Sequence, residues 1–235
     1  MSELISGSEA ICRALIAEGV DTIFGYPGGQ IIDFYDKLYQ HSDELHHILT
    51  RHEQGAVHAA QGYARASGRV GVVTVTSGPA ATNAITGIAD ANVDSTPVVV
   101  ITGQVGVTQL GTDAFQEADV IGITLPVTKW AYQVQRPEEI PWAIARAFYI
   151  ARTGRPGAVV LDITNDAQRG MLEWDYSKIE FIRSYDPDPS PQPAAIREAA
   201  SLLNHAVRPL IIAGHGVEIS QAEPQLQALA EKADI

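Results

Sequence analysis

Residues 70-VGVVTVTSGPAATNAITGIADANVDSTPVVVITG-103 hold two apolar, β-branched runs, 70–76 and 97–103, on either side of a segment that reads as helix from about Ala80 to Ala91. Runs of this length, with no polar alternation, are expected of parallel strands covered on both faces. The same order repeats outward. Upstream, Ser6 and Glu9 are spaced as a capping box for a helix ending near Gly19, followed by a short strand from Thr22 to Phe24, the turn 25-GYPGG-29, a helix from about Gln30 to Tyr39 and a brief strand from His47 to Thr50. Downstream, 130-WAYQV-134 and 157-GAVVLDI-163 read as strands. Between them, 137-PEEIPWAIARAFYIAR-152 places Ile140, Ala143, Ile144, Ala147, Phe148 and Ala151 on one helical face. Repeated βα units predict an α/β fold, a doubly wound, mostly parallel sheet with helices on both faces.

Composition bounds the function. The 235 residues are 46% apolar and 19% charged, enough for a substantial core, and the formal net charge is −12. With 16 Lys and Arg scattered singly, no basic stripe is present to follow a phosphate backbone, which argues against nucleic acid as a partner. Cys12, the single cysteine, reads as a small core residue, in keeping with a reducing compartment. No apolar run approaches membrane-spanning length and the start has no signal-peptide pattern, so the expectation is a cytoplasmic protein with no membrane partner.

Domain organisation is read from where periodicity stops. Residues 1–168 form the expected α/β domain, and 169–192, with 185-YDPDPSPQP-193, read as a linker. Residues 193–235 carry a helix from about Ala194 to Leu203, a strand in 208-RPLIIAGHG-216 and one further helix, too little for a doubly wound sheet. They read as the incomplete beginning of a second α/β domain, so the chain is expected to end inside it, at Ile235.

The stretch 50-TRHEQGAVHAAQGYARASG-68 places Glu53 between a short strand and a helix, the junction where open α/β sheets build their ligand crevices. Such an acid also suits a helix amino terminus on dipole grounds alone. Two further small-residue loops, 25-GYPGG-29 and 77-SGPAATN-83, lie between a strand and a helix, so three loops are expected to converge on one edge. Gly55, Ala59, Gly62 and Ala66 form a nearly bare helix face. Interior glycines cost about 1 kcal/mol each relative to Ala, so the pattern predicts something packed closely there. Other signals fail. The Gly214 and Gly216 pair lacks a third glycine, since Ile219 stands there. No phosphate-binding G-x-x-x-x-G-K-[ST] loop occurs, Ala56 stands where a zinc-protease helix has its second His, and no metal ligand set is assigned within this chain.

Together 25-GYPGG-29, 51-RHEQGAVHAAQGYARASG-68, 76-TSGPAATNAITGIADANVDSTPVVVITGQV-105, 111-GTDAFQE-117 and 154-GRPGAVVLDI-163 resemble the amino-terminal part of the acetolactate synthase (acetohydroxyacid synthase) large catalytic subunits, thiamine-diphosphate enzymes. The resemblance runs from near residue 6 to about 169 and more weakly onward. It implies a pyrimidine-binding domain followed by the start of a flavin-associated middle domain. It also implies that Glu53 faces the pyrimidine of thiamine diphosphate, with Tyr26, Pro27, Gly28, Pro79 and Asn83 around the cofactor. Gln116 joins Glu53 as a catalytic candidate, Phe115 and Lys129 line the substrate channel, and Ser95 and Arg155 contact FAD. The implied reaction decarboxylates pyruvate and condenses the remainder with pyruvate or 2-oxobutyrate, in branched-chain amino acid biosynthesis. FAD and Mg²⁺ are implied for a full-length enzyme, as are a homo-oligomer and room for a regulatory small subunit. This chain alone is expected to be inactive.

Two positions depart from the family's pattern: Ala80 stands for the second glycine of an SGPG loop, and Gly106 for a proline after GQV. The competing readings are another thiamine-diphosphate pyruvate enzyme, a pyruvate oxidase or decarboxylase, and a truncated non-catalytic subunit. GTDAFQE and Lys129 favour the synthase.

Overall fold

In the computed structural model, which describes residues 3–188 and 190–235, the chain forms two units, Met1–Pro187 and Asp188–Ile235. The first begins with strand β1 (Leu4–Ser6) and helix α1 (Gly7–Ala17), followed by β2 (Thr22–Tyr26), α2 (Ile32–Gln40), β3 (His46–Leu49), α3 (Glu53–Ser67) and β4 (Gly71–Val75). It continues through α4 (Pro79–Asn83), α5 (Ile85–Val93), β5 (Val98–Gln104), α6 (Val120–Thr124), β6 (Trp130–Val134) and α7 (Ile140–Arg152). It closes with β7 (Ala158–Thr164), α8 (Asn165–Arg169) and β8 (Met171–Glu173).

Six strands pair in the order β3-β2-β4-β5-β7-β6, every pair parallel. Side chains along each strand alternate between two cores. Val72, Val99, Ile101, Val159 and Leu161 face α1, α2 and α7, meeting Ile11, Leu15, Phe34, Leu38, Ile144 and Phe148. Val73, Val75, Val98, Val100 and Val160 face α3, α4 and α5, meeting Ala56, Val57, Ala60, Ala81 and Ile88. Both faces are therefore covered, as the unbroken apolar runs require. On the second face α3 and α5 approach so closely that a methyl on Gly87 would stand 2.6 Å from the Val57 Cβ. The small residues that matter for this packing are Ala56, Ala60 and Gly87. Gly55 and Gly62 instead have nothing among the described residues within 4 Å of where a Cβ would sit, so their face is left open within this unit.

Two expectations change. The segment read as a linker is ordered against the first unit over its first half: β8 pairs antiparallel with β1, and Trp174, Tyr176, Ile179, Ile182 and Tyr185 pack on the core. Its apolar residues are too sparse to show a period, yet they are what docks it. The strand expected in 208–216 is not formed. Between α9 (Pro193–His205), α10 (His215–Ile219) and α11 (Glu223–Ala233), Leu210 and Ile212 are 83% and 88% exposed. A strand needs a neighbour for its backbone groups, and no other strand is present among the described residues of this unit.

One polar row crosses the sheet interior. Asp162 of β7 is fully buried and accepts hydrogen bonds from Thr102 Oγ1 (2.6 Å), Gln104 Nε2 (3.0 Å) and Gln133 Nε2 (3.0 Å). Burial outweighs these donors and, with the nearby Asp119 charge, pushes its carboxyl from 3.8 up to about 6. The folded chain therefore holds this proton more tightly than the unfolded one. Its stabilising share is complete below the unfolded value and is lost as pH rises through about 6. Urea unfolding between pH 4 and 7 should show the stability of the natural chain falling relative to Asp162→Asn by a slope approaching one proton. A constant difference would refute the assignment.

Candidate active site

Because all six strands are parallel, every strand-to-helix loop leaves one edge of the sheet, the carboxyl edge. The chain runs outward from β2 to β3, then returns to β4 on the other side of β2, so the crevice between the ends of β2 and β4 is the topological switch point. The loop after β2 meets the end of β4 there, with Gln30 N donating to Thr76 Oγ1 at 3.1 Å. The loop after β3 joins them through Thr50 N, which donates to Gly25 O at 3.0 Å.

Glu53 is the first residue of α3, 9% exposed at this edge. The helix is capped by His52, whose Nδ1 accepts from Gln54 N at 3.2 Å. That role falls to a residue type outside the usual capping set, so pattern reading passed over it. Asn83, ending α4, donates from Nδ2 to Glu53 Oε2 at 3.0 Å. Glu53 Oε1 has no donor among the described residues. The carboxylate is thus fixed by one oxygen and available at the other.

The third wall is the loop between β5 and α6. Gln116 adopts φ 62°, and its carbonyl lies where a Cβ on Gly78 would come within 2.5 Å. Gly78 itself has φ 59° and ψ −119°, a conformation that side chains rarely tolerate, so this glycine is demanded twice, by its backbone and by its neighbour. Glu117 winds the loop: its carboxylate accepts from the backbone N–H of Gly111, from Thr112 N (3.1 Å) and from Ala114 N (3.1 Å), and these bonds, Gly111 foremost, hold its carboxyl below the usual range. The result presents Phe115, 85% exposed, and Gln116 beside the 77–83 loop. Sequence reading missed Glu117; the signal was an acid closing a turn-rich GTDAFQE segment. Tyr26 and Pro27 are exposed at the same edge, with Gly28 and Pro79 in the adjoining loops. Ala80 is buried, and the Asp166 carboxylate lies 3.1 Å from where a Cβ on Gly106 would stand.

Lys129, Ser95 and Arg155 are not brought to Glu53. Each precedes a strand, so parallel pairing puts all three at the amino edge, the opposite side of the sheet. Lys129 N donates to Ala158 O, and its ammonium donates to the carbonyls of Ile150 and Thr153 (2.8 Å) and to Tyr185 OH (3.1 Å), closing the end of α7. Arg155 does meet Ser95, through Nε to Oγ at 2.8 Å, while NH2 donates to Val93 O at 2.7 Å and closes α5. These two bonds use two of the five N–H donors of the exposed Arg155, and the flavin contact implied for the pair belongs with the proposal for the longer protein.

The carboxyl edge does fit an aromatic, nitrogen-bearing cofactor. Glu53 offers one oxygen in a nearly dry setting. Ser77, fully buried in the same loop system, has a hydroxyl without a partner among the described residues. No group of three or more His, Cys, Asp or Glu among the described residues is placed to hold a metal ion. Gly78→Ala tests the loop junction. It should lower stability by roughly 1–3 kcal/mol, read as a lower urea midpoint, because the new methyl meets the Gln116 backbone from a disfavoured φ. An unchanged midpoint would count against the junction.

Comparison with known proteins agrees with this geometry. The chain is 50% identical over 230 residues to the probable acetolactate synthase large subunit of Methanocaldococcus jannaschii, covering 97% of this chain and 39% of that protein. It is 49% identical over 229 residues to the acetolactate synthase large subunit of Corynebacterium glutamicum, covering 97% and 36%, and 47% identical over 232 residues to that of Buchnera aphidicola subsp. Schizaphis graminum, covering 98% and 40%. The chain thus spans well under half the length of these relatives. Residues 196–235 match the central domain of the thiamine pyrophosphate enzymes, and residues 5–123, which hold Glu53, Asn83 and Gln116, match their N-terminal TPP-binding domain. The chain belongs to the thiamine pyrophosphate enzymes.

Proposed function

We propose that this chain is the pyrimidine-binding part of an acetolactate synthase large subunit, acting on pyruvate together with pyruvate or 2-oxobutyrate. The observation that carries the reading is the Glu53 carboxylate, anchored by Asn83 at one oxygen and open at the other, at the switch point of a parallel sheet. The relatives' names supply the reaction class. Mg²⁺, FAD, self-association and a small regulatory subunit belong to the same proposal for the longer protein, the last favoured by the words "large subunit" in those names. No helix is long and apolar enough to cross a membrane among the described residues, and a cytoplasmic setting is the reading we adopt.

Thiamine diphosphate, when bound, supplies the electron sink for decarboxylation and carbon–carbon bond formation. The chain's own share is orientation and one proton position. Asn83 fixes the rotamer of Glu53, so that Oε1 would be free to share a proton with a ring nitrogen of the bound cofactor without a search among rotamers. Tyr26, Pro27, Gly28 and Pro79 form the loops that would flank the ring. The Glu117-wound loop holds Phe115 and Gln116 as the substrate-side wall.

The test uses a protein carrying residues 1–235 together with the further length of its relatives. With pyruvate, thiamine diphosphate and Mg²⁺, 2-acetolactate is the expected product. Glu53→Gln should lower kcat at least about tenfold, since a positioned acid–base group contributes typically 10²–10⁴. Asn83→Ala should lower it less, with KM for pyruvate little changed. Acetaldehyde or an acetyl product in place of acetolactate would overturn the synthase reading, and unimpaired Glu53→Gln would overturn the role of Glu53.

A further inference from the structure

Asp162 lies on β7, two strands along the sheet from β4, and touches none of the loops that form the site, yet its hydrogen bonds lead to one of them. It stands opposite Thr102 of β5 on one side and Gln133 of β6 on the other. All its recorded partners are donors: Thr102 to Oδ1, and the amides of Gln104 and Gln133 to Oδ2. The consequence falls on Gln104, the last residue of β5. A side-chain amide has a donor end and an acceptor end, and a carboxylate accepts only. Asp162 therefore turns the NH₂ of Gln104 toward itself. The second hydrogen of that NH₂ goes to Ala118 O at 3.0 Å, and the carbonyl end accepts from Val105 N at 2.9 Å. Val105 and Ala118 are the two feet of the loop 106–117. Reversing the amide would set NH₂ against the Val105 N–H and a carbonyl against both Asp162 and Ala118 O, so the sense of one buried amide ties both feet at once.

The loop so tied holds Phe115 and Gln116, and the Gln116 backbone packs where Gly78 has no side chain. We propose that Asp162 is a positioning residue: through the amide of Gln104 it clamps both feet of the loop 106–117 and thereby sets Gln116 against the 77–83 loop beside Glu53. The clamp is a statement about this fold. Its effect on turnover rests on the reading of the loop as a wall of the site.

Thr102 makes a conservative substitution informative. Its hydroxyl also lies 3.5 Å from Leu161 O, so it can donate to that carbonyl and accept from position 162 instead of donating to it. In Asp162→Asn the new carbonyl can keep both glutamine amides while the new NH₂ donates to Thr102. Gln104→Met keeps the volume and removes the clamp, leaving Asp162 with Thr102 and Gln133.

The experiment is amide hydrogen exchange, read by mass spectrometry on the 235-residue chain. Gln104→Met and Asp162→Ala should each accelerate exchange in 106–118 at least about tenfold while β4 and β5 keep their protection, and Asp162→Asn should stay within about threefold of the natural chain. Unchanged loop exchange in Gln104→Met would overturn the clamp. So would acceleration spread equally over strands and loop in both Gln104→Met and Asp162→Ala, which is the behaviour of a residue that only stabilises the sheet. In the longer active protein, the clamp predicts a lower kcat for Gln104→Met restored by no change of pH. A loosened loop with unaltered kcat would leave the clamp standing and remove the loop from the proposed function.

Discussion

Parallel pairing is the constraint on which the rest depends. A parallel strand cannot return by a hairpin, so each of the six strands hands the chain to a connection that crosses a face of the sheet, and all strand ends of one kind fall on one edge. The loops of small residues therefore had no choice of direction. Those after β2, β3, β4 and β5 meet at the carboxyl edge, and the reversal of winding beside β2 opens the crevice into which they project. The same rule sends every residue that precedes a strand to the other edge, which is why Lys129, Ser95 and Arg155 serve helix ends there.

Two buried carboxylates, Asp162 and Glu53, show how surroundings separate roles. Asp162 is enclosed by three donors and spends its acceptor capacity inside the sheet, where it orients other groups. Glu53 is held by Asn83 alone and keeps one oxygen free at an opening. A carboxylate fully occupied by fixed partners suits support, and one with an unspent oxygen suits exchange of a proton with a ligand. Between them stands the loop 106–117, shaped from within by Glu117 and tied at its feet by Gln104. The site is thus supported by polar atoms that never reach it.

Much of this was legible in the residues. The unbroken apolar runs of β4, β5 and β7, the βα alternation and the face of α7 are short-range patterns, and each element formed where its period placed it. Ser6 caps α1 as read, with its Oγ accepting from Glu9 N, although the Glu9 carboxylate turns to Arg13 and His41 instead of back to the cap. The misreadings share one cause. The strand in 208–216 had the right composition but no partner to pair with. The segment after Gln168 had no period but had aromatic residues that a core could accept.

The sequence by itself determined the elements, the class of fold and Glu53 as the acid at a strand–helix junction, because those follow from periodicity and from chemistry confined to a few adjacent residues. Only the tertiary structure decided which oxygen of Glu53 is free, that Gln116 closes on Gly78, that Gln104 ties the loop to Asp162, and that Lys129, Ser95 and Arg155 lie on the far edge. Those facts depend on strand order and on the sense of individual hydrogen bonds between residues about 14 to 60 positions apart, and separation along the chain carries no record of which of them will meet.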